Sequence, residues 1–76
     1  MFKLFKKKPE QLPYISYLNL MRSQKDISVE KLASWVDVSP KTIRAIELGK
    51  YIPSLDLAFR LAYALEVEVY EIFSPL

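Results

Sequence analysis

Residues 28–49 read Ser28-Val29-Glu30-Lys31-Leu32-Ala33-Ser34-Trp35-Val36-Asp37-Val38-Ser39-Pro40-Lys41-Thr42-Ile43-Arg44-Ala45-Ile46-Glu47-Leu48-Gly49, and their punctuation decides the fold. Ser28 offers an N-cap oxygen, with Glu30 in the first turn beside the positive end of the helix dipole. Val29, Leu32, Ala33 and Val36 recur at helical spacing, so a short helix follows, and Asp37 ends it. Ser39 caps again, and Pro40 takes the first helical position, where its missing N–H costs nothing. A helix from Pro40 to Leu48 results, stopped by Gly49, the one glycine of the chain. A left-handed backbone is wanted just past a helix end, and glycine adopts it freely. Two capped helices joined by Asp37-Val38-Ser39 form a helix-turn-helix by spacing alone.

The second helix of this pair has two distinct faces. Ile43 and Ile46 turn inward, whereas Lys41, Thr42, Arg44 and Ala45 project outward. Lys41 lies in the first turn, where a cation faces the positive end of the dipole and loses some stability. An anion docked at that helix start reverses the sign, which makes DNA phosphate or a guanine acceptor the natural counterpart.

Outward from this pair, Pro13 with Tyr14, Ile15, Leu18 and Met21 predicts a first helix from about 13 to 25. Pro53-Ser54 opens a fourth, carrying Asp56 in its first turn and Leu55, Ala58, Leu61, Ala62 and Leu65 on one face. A last short turn from Val69 to Phe73 closes an all-α domain of five helices. Residues 1–12 read as a basic, loosely ordered N-terminal arm, and residues 13–76 as the helix-turn-helix domain. Within the arm, Phe2, Leu4 and Phe5 alternate with Lys3, Lys6, Lys7 and Lys8, a pattern that suits a plain tail, an arm along nucleic acid, or a contact with a membrane surface or partner. No stretch is apolar enough to span a bilayer and no signal peptide is visible, so membrane association is not expected and a cytoplasmic location is.

Composition narrows the chemistry. Seventy-six residues hold no cysteine and no histidine, which removes disulfides, the usual zinc and haem ligands, and Ser-His or Cys-His catalysis. A single glycine also removes the Gly-rich phosphate cradles. No enzyme, catalytic residue, metal or cofactor is therefore expected. Charge is divided along the chain: residues 1–50 hold ten Lys/Arg against five Asp/Glu, a net of +5, while residues 51–76 set Arg60 against Asp56, Glu66, Glu68 and Glu71, a net of −3. The basic part suits a polyanion, and the acidic part is left for water or another subunit.

The segments Ser28-Val29-Glu30-Lys31-Leu32-Ala33, Val36-Asp37-Val38-Ser39-Pro40-Lys41-Thr42-Ile43 and Ile46-Glu47-Leu48-Gly49-Lys50-Tyr51-Ile52-Pro53-Ser54-Leu55 together resemble the Cro/cI-type (Xre-type) helix-turn-helix of phage repressors and small bacterial regulators. Through Leu61-Ala62-Tyr63-Ala64-Leu65 and Glu71-Ile72-Phe73 the resemblance covers roughly residues 15 to 73. It implies a five-helix, Cro/cI-repressor-like DNA-binding domain that reads an operator through its third helix, usually as a dimer. Lys41, Thr42, Arg44 and Ala45 fall on positions that such proteins use for base edges and flanking phosphates, with Ser39 as the cap near the DNA backbone. Lys50 and Tyr51 match phosphate-touching positions, and Arg22 and Glu47 match a structural ion pair between the first and third helices. Departures are Val29 where glutamine is common, Pro40 in place of a polar reader, and Asp37 and Glu66 where glycine is common.

Arg44 can contact guanine O6 and N7 bidentately, Lys41 the same acceptors or phosphate, and Thr42 or Ala45 a thymine methyl. So few readers require two half-sites, so the expected partner is double-stranded DNA carrying an inverted-repeat operator, bound by a homodimer. Phe59, Tyr63, Val67, Val69, Tyr70 and Phe73 are the candidate dimer interface, with completion of the core as their alternative role; Trp35 is open between core and interface. The expected function is a sequence-specific transcriptional regulator, a repressor. The alternative is a protein-interaction module, such as an antitoxin or regulatory subunit with the same fold and a protein partner.

Overall fold

In the computed structural model, residues 12–76 are described. Strand β1 (Tyr14–Ser16) leads into α1 (Leu18–Gln24), α2 (Val29–Val36), α3 (Pro40–Glu47), α4 (Leu55–Leu65), α5 (Val69–Ile72) and strand β2 (Phe73–Pro75). The five helices pack around one core, and the punctuation of the sequence accounts for three of their starts. Ser28, Ser39 and Ser54 each lie in extended backbone and accept a hydrogen bond from the N–H three residues on, at Lys31, Thr42 and Leu57. Each cap satisfies a donor that the helix leaves without a partner. The start of α5 is held by a capping box instead, in which the Glu68 N–H donates to the Glu71 carboxylate.

Residues 13–25 do not form one helix. Tyr14–Ser16 is a strand, paired antiparallel with Phe73–Pro75 in the register Tyr14 to Pro75, Ile15 to Ser74 and Ser16 to Phe73, and α1 begins only at Leu18. The reason is tertiary. The Tyr17 N–H donates to the Ile72 carbonyl and the Leu76 N–H to the Pro13 carbonyl, so the two ends of the domain satisfy each other's backbone. For the same reason the last helix stops at Ile72, and Phe73 belongs to β2. The Tyr14 and Phe73 rings meet edge to face, with centroids 5.5 Å apart.

The core gathers one stripe from every helix: Leu18 of α1, Leu32 and Val36 of α2, Ile43 and Ile46 of α3, Leu61 and Leu65 of α4, and Ile72 of α5 are all buried. Complete burial of one such side chain is worth about 1.5–3 kcal/mol. Because α3 contributes only Ile43 and Ile46 to this centre, the rest of its surface is left outside.

Candidate nucleic-acid interface

The start of α3 is fixed twice over. Ser39 Oγ accepts from the Thr42 N–H at 3.2 Å and lies 3.0 Å from Thr42 Oγ1. Thr42 is thereby held half-buried against its own cap. Lys41 and Arg44 are exposed and one turn apart, while Ala45 is half-buried beside them. Lys41 enters no ion pair among the described residues. Beyond the helix, Gly49 has φ 73°, and the chain turns there into exposed Lys50 and Tyr51. Ser39, Lys41, Thr42, Arg44, Ala45, Lys50 and Tyr51 thus lie along α3 and its two flanking turns. Leu12 packs next to Gly49, its Cδ1 3.8 Å from where a β-carbon on that glycine would stand. The preceding lysines fall on residues 1–11, outside the described residues.

Three arginines organise the domain around this helix. Arg22 Nε lies 2.7 Å from Glu47 Oε2, with both side chains largely buried, and joins α1 to the end of α3. Arg44 Nη2 donates to Glu30 Oε2 at 2.9 Å, a contact between α3 and the first turn of α2. Fourteen residues separate that pair, and neither helix's periodicity announces it; only the packing of α2 on α3 brings the two together. Arg60 pairs with Asp56 one turn before it and donates through Nη1 to the Val36 carbonyl at 3.0 Å, closing the C-terminus of α2. Hydrogen bonding and the charge of Arg60 hold the Asp56 carboxyl below its usual range, and the same two effects from Asp56 raise Arg60. Val29 is half-buried against the core, so the position where the family commonly has glutamine offers no side-chain donor outward.

The six candidate interface residues do not form one patch. Phe59 and Tyr63 are exposed on α4; Tyr63 and Val67 border a groove of about 580 Å³ with Trp35 of α2, and Phe59 borders a neighbouring one of about 270 Å³ with Tyr63 and Trp35. Val69 and Phe73 are half-buried around a separate hollow with Tyr14, Ile52 and Leu55, and Tyr70 faces Leu20 and Met21 elsewhere. Trp35 is 53% exposed, with Lys31 Nζ 5.9 Å from its ring centre, which takes it out of the core. Among the described residues no cluster of His, Cys, Asp and Glu has the form of a metal site, and no helix is long and apolar enough to cross a membrane.

Two capped helices at this spacing, with a third-helix surface left free of the core, define a helix-turn-helix protein. The helix-turn-helix family profile matches residues 18–72, and the chain belongs to that family, in its Cro/cI-type (Xre) branch. It is 45% identical over 56 residues to an uncharacterized HTH-type transcriptional regulator of Methanocaldococcus jannaschii, covering 74% of this chain and 85% of that one. It is 38% identical over 53 residues to the HTH-type regulator YgzD of Bacillus subtilis, covering 70% and 80%. Among solved structures it is similar to the restriction-modification controller protein C.AhdI of Aeromonas hydrophila, with a TM-score of 0.68 and 31% identity over 71% of this chain and 82% of that one. It is likewise similar to the clp gene regulator ClgR of Corynebacterium glutamicum, with a TM-score of 0.68 and 28% identity over 71% of this chain and 57% of that one.

Proposed function

We propose that this protein is a sequence-specific repressor of the cytoplasm that binds an inverted-repeat operator as a homodimer, each copy inserting α3 into the major groove of one half-site. The observation that carries the reading is the division of α3: Ile43 and Ile46 anchor it in the core, while exposed Lys41 and Arg44 stand one turn apart behind a doubly bonded Ser39 cap. Arg44 then reads guanine, Lys41 guanine or phosphate, and the Thr42 methyl or Ala45 a thymine methyl. Lys50 and Tyr51 meet the phosphates on the far side of the helix. The lysines of residues 1–12 add phosphate contacts as a basic arm on the domain of residues 13–76. Repression follows where such a dimer covers a promoter and blocks polymerase from it.

Phe59 and Tyr63 are the exposed apolar pair that a second copy covers, with Val67 at its margin. That face also favours a second reading, a protein-interaction module whose partner sits on Trp35, Phe59 and Tyr63. Random-centre duplexes titrated at two salt concentrations and sequenced after retention decide between the two. An enriched inverted repeat, lost in the Lys41→Ala, Arg44→Ala double variant while its helical circular dichroism persists, supports the DNA reader. Retention without any enriched sequence overturns it and turns attention to the aromatic face.

A further inference from the structure

Arg44 is not free in the unbound protein. Its Nη2 donates to Glu30 Oε2 at 2.9 Å, and Glu30 stands in the first turn of α2, whose own cap is Ser28. A carboxylate so placed is a poor neighbour for the DNA backbone. It adds one negative charge to the side of the molecule that carries Lys41, Arg44 and Lys50, and it opposes every phosphate alike. The same carboxylate leaves Arg44 able to read a base: a guanidinium has five N–H donors, the contact with Glu30 uses one, and a guanine edge needs two. What the pair removes is freedom, since an unpaired arginine samples many rotamers and can settle on whatever phosphate is nearest.

We infer that Glu30 is a specificity-determining positioning residue, holding the Arg44 guanidinium in one orientation for a guanine edge and keeping it from phosphate. The inference rests on the DNA-reading function proposed above. On a matched site, prior ordering of Arg44 offsets the repulsion from Glu30; on any other duplex only the repulsion remains. Both effects widen the gap between specific and non-specific binding without requiring tighter binding overall. Since both side chains are more than half exposed, the pair adds little to folding stability, and its removal leaves the domain folded.

The test is selection from the random-centre duplex pool with four proteins: wild type, Glu30→Gln, Arg44→Ala, and the two substitutions combined, each checked by thermal melting. The position whose preference disappears in Arg44→Ala identifies the base read by Arg44. Glu30→Gln is expected to lower guanine preference at that one position several-fold, to leave the other positions unchanged, and to strengthen binding to a scrambled duplex with a steeper salt dependence. In the Arg44→Ala background the same substitution changes no base preference. Intact preference at the Arg44 position in Glu30→Gln, or an equal change at every position, overturns the positioning role. Failure of wild type to enrich any sequence defeats the DNA-reading function itself, which distinguishes the two failures.

Discussion

Arg22 Nε donates to Glu47 Oε2 at 2.7 Å, and the same guanidinium donates through Nη1 to the Ile27 carbonyl at 2.7 Å and through Nη2 to Asn19 Oδ1 at 3.1 Å. One side chain therefore links α1, the turn before α2 and the last residue of α3, fixing the C-terminal end of the helix whose N-terminal half faces outward. With exposures of 16% and 11%, neither partner can recover water easily once the other is removed. Truncating either to alanine is expected to destabilise the fold by about 2–4 kcal/mol, toward the lower side for a buried pair because some solvent reaches it. Urea unfolding measures this as a lower midpoint at an unchanged slope. The double truncation is expected to lose less than the two singles together, because it leaves no stranded charge.

Asp37 and Glu66 end α2 and α4 in the left-handed region, at φ 62° and φ 59°, each returning its N–H to the preceding helix. For a residue with a β-carbon that conformation costs roughly 1–2 kcal/mol, and Glu lacks the short polar side chain that eases it for Asp. Glu66→Gly is therefore expected to stabilise the domain by about 0.5–1 kcal/mol after the greater freedom of the unfolded glycine is counted. Asp37→Gly gains less. Gly49→Ala moves the other way, because a β-carbon there meets Leu12 Cδ1 at an ordinary 3.8 Å, so the backbone strain at φ 73° decides the sign. Calorimetric midpoints of the three variants rank these effects.

Much of this architecture is written in local chemistry. Ser28, Ser39 and Ser54 mark three helix starts because a hydroxyl three residues before a needy N–H acts within one turn, and the three-residue connection follows from two such signals. The ribbon of Tyr14–Ser16 with Phe73–Pro75 is not legible in this way, since each strand is three residues long and exists only through a partner nearly sixty positions distant. In isolation, Pro13 with Tyr14, Ile15, Leu18 and Met21 carries a helical period, and the sheet overrides it. The Glu30–Arg44 contact and the exposure of Trp35 are likewise products of how α2 lies on its neighbours. Residue type separates aromatic from polar, but it does not separate a core aromatic from one on a groove.

Tyr14 provides a pH-dependent check on the ribbon. Its hydroxyl and that of Ser16 are buried without a hydrogen-bond partner among the described residues, and burial raises the Tyr14 phenol above its ordinary 10.0. The folded state therefore holds the proton more tightly than the unfolded chain. Stability from this group is fully present below the unfolded value and is lost as pH climbs from there through the raised folded value. Tyr14→Phe is expected to remove this residue's part of the alkaline loss. Near neutrality it is expected to be neutral or to stabilise by up to about 1 kcal/mol, since an unsatisfied buried hydroxyl is deleted while the ring contact with Phe73 is kept. Denaturation midpoints at pH 7 and above pH 10 compare the two proteins.

Lys50 and Arg44 are expected to fail differently when truncated, and the contrast tests the division of labour along α3. Lys50 is exposed in the turn after Gly49, free of ion pairs among the described residues, and in the proposed complex it meets only phosphate. Lys50→Ala should weaken binding to matched and scrambled duplexes by the same factor and lower the slope of log affinity against log salt by about 0.9, the value for one phosphate contact on duplex DNA. Arg44→Ala should instead cost about 1–3 kcal/mol on the matched duplex and nearly nothing on the scrambled one. Its salt slope should change less than that of Lys50→Ala, because in the proposed complex the Arg44 guanidinium lies on a base edge and not on a phosphate, although its removal uncovers the Glu30 carboxylate 2.9 Å away. Fluorescence anisotropy over a salt series, with both duplexes and both variants, gives the four slopes; equal losses for the two variants on both duplexes would mean that Arg44 contacts backbone and that base reading lies elsewhere on the helix.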